Sequence, residues 1–184
     1  MIFYPTRKQI NAAEYQERCI DSDAWHLIHS VATGKRAVLF PPGGLYFGLV
    51  GFLVVIPVAA IVFFLMLTLF SSKSDAFIGS FLFVSALSSA AIHCGFMLSV
   101  SLGFIYAQQD LVRYLWGLVA ITSGCLVYGL LVSASSTYLL LPLVGSVVAV
   151  LMLRLAKSLP FTLYADLMRT KRVYFKHKKN TLKR

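Results

Sequence analysis

The chain is expected to fold as an all-α membrane protein: a four-transmembrane-helix bundle with short loops, N-terminal cytoplasmic amphipathic helices and a basic C-terminal amphipathic helix. Three observations predict this. Of the 184 residues, 58% are hydrophobic and 13% charged, and the mean hydropathy is +0.77, a balance too apolar for an ordinary soluble domain. The apolar residues gather in four runs, at 45–70, 76–106, 115–132 and 138–153, each near or beyond the roughly twenty residues that cross a hydrocarbon core. The net charge of +10 is placed unevenly: residues 1–42 carry five Lys or Arg against four acids, whereas from Arg154 onward ten Lys or Arg face Asp166 alone. The organisation predicted is an arm (1–42), a bundle (43–159) and a tail (160–184).

The arm reads as two short helices. Asn11 followed by Glu14 has the form of a capping box, opening a helix to about Ile20. Asp21, Ser22 and Asp23 offer N-caps for a second helix, Ala24 to Thr33, with Gly34 as its stop. In that helix Trp25, Ile28 and Ala32 share one face, which predicts contact with the membrane or a partner. Pro41, Pro42, Gly43 and Gly44 then turn the chain into the first span. That span begins behind a polar arm and is too long for a signal h-region, so it is expected to be retained.

Gly44, Gly48 and Gly51 lie at i, i+4 and i+7 on the first span and predict close contact with the second. Pro57 sits inside the same run, where it can kink the helix. The second run is the longest, without a formal charge from Ala76 to Tyr106, and it is the span on which the others are expected to pack. Ala91, Gly95, Ser99 and Gly103 recur every four residues as one smooth ridge, and Ser85, Ser89 and His93 repeat the spacing on a neighbouring face. In lipid such ridges let helix backbones approach closely, and serines can bond across the contact.

Gln108, Gln109 and Asp110 predict a tight turn, with Arg113, Tyr114 and Trp116 anchoring the third span at the interface. That span carries Gly117, Ala120 and Gly124 at helical spacing, and the fourth carries Gly145 and Ala149 before Arg154 and Lys157. The loops at 71–75 and 133–137 are so short that consecutive spans must be antiparallel neighbours. Pro160 opens the tail, where Phe161, Tyr164, Met168 and Phe175 form a loose helical stripe. Arg169, Lys171, Arg172, Lys176, Lys178 and Lys179 give it positive charge, which predicts an inner-leaflet helix held by anionic lipid headgroups at about 1 kcal/mol per well-placed cation. With both charged ends on the cytoplasmic side, the positive-inside rule gives N-in and C-in. Cys19, Cys94 and Cys125, none on an outer loop, are expected to be reduced thiols.

The spans hold no Asp, Glu, Lys or Arg before Arg154. The paired acids of an intramembrane protease, a metalloprotease HExxH, a buried carboxylate for proton coupling and a charged selectivity ring are all missing. His93 is the one histidine in a span, expected to be a neutral imidazole bonded to Ser89 or to a serine of another helix. His26 and His29 lack a Cys or acid in register, so no metal, cofactor or catalytic residue is expected. Nucleic acid and small-molecule substrates are not expected either, because no stacking platform or groove-reading element accompanies the basic tail. In build, the chain resembles small four-span subunits of bacterial envelope machines such as conjugation and secretion systems, and also membrane immunity proteins against pore-forming toxins. The resemblance implies a non-catalytic inner-membrane subunit whose partners are other integral membrane proteins. The alternatives are an immunity or exclusion protein and a small transporter or channel subunit using Pro57 and His93.

Overall fold

The computed structural model describes residues 10, 22–33, 43–69, 75–104, 106–132 and 136–181, and among them there is no strand. Helix α1 (Ser22–Ala32) belongs to the arm; α2 (Gly43–Leu53) and α3 (Val55–Leu69) make up the first span, followed by α4 (Asp75–Ser101), α5 (Ala107–Leu131), α6 (Ser136–Lys157) and the tail helix α7 (Leu159–Thr181). Four stretches are long and apolar enough to cross a membrane: Gly44–Thr68, Phe77–Ser101, Ala107–Leu131 and Tyr138–Lys157. The helix anticipated at 11–20 lies outside the described residues.

The break between α2 and α3 follows from Pro57. Proline has no N–H for the Leu53 carbonyl, so the hydrogen-bond ladder lapses and resumes as the Val58 N–H donates to the Val54 carbonyl at 3.3 Å. The second span ends at Ser101 instead of near Tyr106, because Gly103 takes a left-handed φ of 70°. The Phe104 N–H then donates to the Ser99 carbonyl at 3.1 Å and the Gly103 N–H to the Val100 carbonyl at 3.0 Å. Those two bonds are a Schellman ending, in which glycine terminates the helix. The third span starts at Ala107, well before 115. Asp110, expected in a turn, and Arg113 sit in its first turns and pair at 3.1 Å, one helical turn apart.

Two layers result. In the membrane layer, α5 and α6 run antiparallel, with Gly129 near the end of α5 beside Leu139 near the start of α6. The first span lies against both: Phe64 is fully buried, and its ring meets Tyr128 edge-on at 6.4 Å. Val50, Leu111, Leu115, Ala149, Met152 and Phe161 are all buried in one continuous core that joins this layer to the tail. The second span is not its centre. Only 11% of the α4 span is buried, against 28–33% for the other three. Its bulky residues Phe83, Val84, Leu87, Ile92 and Leu98 are exposed, and it contributes chiefly Met97 and Val100 to the core.

The second layer caps the basic end. Ser158 separates α6 from α7: its hydroxyl accepts from the Phe161 N–H at 3.4 Å as an N-cap and donates to the Leu155 carbonyl at 2.6 Å. Instead of standing apart on a lipid surface, α7 packs back along α2, where Phe47 meets Tyr164 at 4.9 Å between ring centroids. On its other side it receives α1: Ile28 and Val173 are buried together with Ile10, and His29 lies 5.2 Å from the Tyr174 ring. Gln108 binds the layers together, its Nε2 donating to the Ala156 carbonyl at 3.1 Å and to Thr162 Oγ1 at 2.9 Å. Gln108→Leu, which leaves both acceptors without that donor, is expected to cost about 1–3 kcal/mol, read as a lowered midpoint of thermal unfolding in detergent.

Candidate functional site

The candidate site is built from α4 because the chain covers so little of it. An α-helix advances 100° per residue, so positions three and four apart share a face. Val84, Leu87, Ala91, Gly95 and Leu98 follow that spacing and all are exposed. A Cβ placed on Gly95 would meet nothing within 4 Å. On the opposite side, Ser85, Ser89, His93, Met97 and Val100 face the bundle, the first two half-buried and the last three buried. The four-residue ridge read from the sequence is therefore divided: Ala91 and Gly95 are open, Ser99 is half-buried, and Gly103 is buried beneath α7. The serines do not reach across helices. Ser99 donates to the Gly95 carbonyl and Ser101 to the Leu98 carbonyl, both at 2.8 Å within α4.

The other small residues divide in the same way. Gly51 touches the second span, a Cβ there lying 3.3 Å from Met97 Cε, whereas Gly44, Gly48 and Gly124 are exposed with nothing within 4 Å. Two further tight approaches lie at other glycines. A Cβ on Gly145 would sit 2.8 Å from Ala60 Cβ, and one on Gly129 would sit 2.7 Å from Leu139 Cδ2. Gly145 had a sequence signal in its spacing from Ala149. Gly129 had none, since its constraint comes from Phe64 and Leu139 on other helices.

Between the first span and α4 lies a cleft of about 430 Å³, lined from one side by residues between Gly51 and Phe63 and from the other by residues between Leu82 and Cys94. Its walls are Val, Ala, Phe and Leu apart from Gly51, Ser89, His93 and Cys94. His93 is 3% exposed, its ring 5.8 Å from that of Tyr114. Neither Nδ1 nor Nε2 has a hydrogen-bond partner, so the bond expected to Ser89 is not made.

The basic residues of the tail are used unequally. Arg169 is 7% exposed and partnered. Arg172 places its guanidinium 4.1 Å from the Phe104 ring centroid and donates from Nη1 to the Gly103 carbonyl at 3.4 Å. Lys171 is half-buried, while Lys176, Lys178 and Lys179 are exposed. At the same end, Lys157 Nζ lies over the Trp116 ring at 5.1 Å. Among the described residues no three His, Cys, Asp or Glu side chains gather in a cluster able to hold a metal; His26 is exposed and His29 rests on Tyr174.

Compared with protein-family models, with curated proteins and with solved structures, the chain matches none of them.

Proposed function

We propose that the chain is a non-catalytic integral subunit of a larger bacterial inner-membrane assembly, of the secretion or conjugation type, that docks on other membrane proteins through the open face of α4. The observation that carries this reading is the exposure of a complete helical face, Val84, Leu87, Ala91, Gly95 and Leu98, on a span only 11% buried. Association in lipid gains nothing from excluding water; it relies on close backbone approach over small residues, and Ala91 and Gly95 provide such a place. The basic end faces the cytoplasm in this reading, N-in and C-in, with exposed Lys176 and Lys179 toward anionic headgroups. Arg172 also ties the tail to the Gly103 turn.

The test is recovery of the tagged chain at native expression in a mild detergent, followed by sizing and identification of what accompanies it. A stoichiometric set of other membrane proteins is expected. Gly95→Leu should abolish that set while leaving the isolated chain's stability unchanged within about 0.5 kcal/mol, as for other substitutions that meet no neighbour. Recovery of a lone monomer from wild type, or an undiminished set from Gly95→Leu, would overturn the reading.

A further inference from the structure

We propose that the cleft between the first span and α4 binds a lipid-soluble molecule with a neutral, carbonyl-bearing head, which accepts a hydrogen bond from His93. The site is separate from the docking face: Gly95 and Leu98 do not line it, and His93 and Ser89 do.

The first support is the unpartnered imidazole. A polar group left unbonded in an apolar interior is unfavourable, and such groups normally have partners. Both nitrogens of His93 lack one although the residue is 3% exposed and lines the cleft. A neutral imidazole carries one N–H donor and one acceptor nitrogen. Both nitrogens are buried, so presenting the N–H to the cleft requires the ring to turn about χ2, a torsion with a broad intrinsic minimum.

Depth decides the kind of head. His93 precedes Ser101, the end of the span, by eight residues, about 12 Å at 1.5 Å per residue. In a hydrocarbon core about 30 Å thick this is close to the midplane. Phospholipid headgroups and ionised carboxylates stay at the interface, and the lining residues include no Lys, Arg, Asp or Glu to compensate a charge. A neutral carbonyl can reach that depth and take the N–H.

Size suits a small ligand. The walls run from Leu82 to Cys94, about 18 Å along the axis. The cleft, at about 430 Å³, lies in the range of small-ligand sites, which are mainly apolar with a few polar groups to orient the ligand. Ala59, Ala86 and Ala90 leave room along the walls for an elongated apolar body.

The probe for the test is a short-tailed alkyl benzoquinone, titrated into the purified full chain in lipid nanodiscs with empty nanodiscs subtracted. Saturable binding is expected, together with a carbonyl stretching band of the bound probe shifted to lower wavenumber. His93→Phe keeps an aromatic ring and removes the donor; it should weaken binding at least tenfold and abolish the band shift. Ala86→Phe fills the cleft from the same α4 wall, two helical turns from His93, and should abolish binding even if His93→Phe proves unstable. Gly95→Leu should leave the affinity unchanged, so failure of the docking reading and failure of this one are distinguishable. Equal binding by wild type, His93→Phe and Ala86→Phe would overturn the proposal, as would equal binding of an alkylbenzene of the same tail length.

Discussion

Gly103→Leu is expected to release the tail helix and to lower stability by more than about 3 kcal/mol. Two costs act at the same atom. The glycine holds φ at 70°, a left-handed conformation that costs an L-residue about 1–2 kcal/mol. A Cβ there would also lie 2.6 Å from the carbonyl carbon and oxygen of Met168 and 2.7 Å from Arg169 Cα. Those are backbone atoms of α7 and cannot rotate aside, so the helix must move. Moving it withdraws Arg172 from the Gly103 carbonyl and the Phe104 ring, and it loosens Phe161, Leu167 and Val173, all buried. Each such side chain returned to water costs about 1.5–3 kcal/mol. The readouts are the thermal midpoint in detergent and the rate of limited trypsin cleavage at the tail's basic residues, which should rise sharply. Gly103→Ala should act in the same direction because the first carbon is already the obstacle. If Gly103→Ala melted and was cleaved like wild type, α7 would not be seated on this turn.

That comparison also separates two glycines that look equivalent in the sequence. Gly95 and Gly103 stand two helical turns apart on one ridge, and both invite the same packing argument. The difference comes from a helix more than sixty residues away: α7 lies over Gly103, and nothing lies over Gly95. Hydrophobic run length and loop length carried the four spans into view because the membrane imposes both. They also foretold the helical character of α1 and the tail through capping residues and proline. Which span is central was not legible, since it depends on side-chain volumes meeting across helices. Likewise charge pattern alone does not show that Arg172 reaches back to the Gly103 carbonyl and the Phe104 ring. The cleft had no local signature either. His93 and Ser89 were visible on one face of α4, but the opposing wall from Gly51 to Phe63 comes from another span.

Gly145→Leu is expected to prevent the membrane layer from closing, leaving little or no folded protein to purify. Three spans meet at this residue. A Cβ would stand 2.8 Å from Ala60 Cβ on α3, 3.3 Å from Thr122 Cγ2 on α5 and 3.5 Å from Pro57 Cα, and all three residues are buried. Overpacking of this kind costs about 1–3 kcal/mol for one added methylene-sized group and more when several are added. Gly145→Ala should therefore remain foldable with a midpoint several degrees lower. Gly129→Ala should be milder: its closest neighbours are Leu139 Cδ2 and the Phe64 ring edge, ends of side chains that can turn, whereas Gly145 faces a Cβ and a proline Cα. The decisive measurement is a double-mutant cycle. Ala60→Gly removes the nearest obstacle, so the pair Gly145→Ala with Ala60→Gly should lose less stability than the two single losses added together, by at least about 0.5 kcal/mol, the threshold that distinguishes residues in contact from independent ones. Strict additivity would mean that the first and fourth spans do not touch at this point, and the packing order of the bundle would have to be redrawn around a different pair of helices.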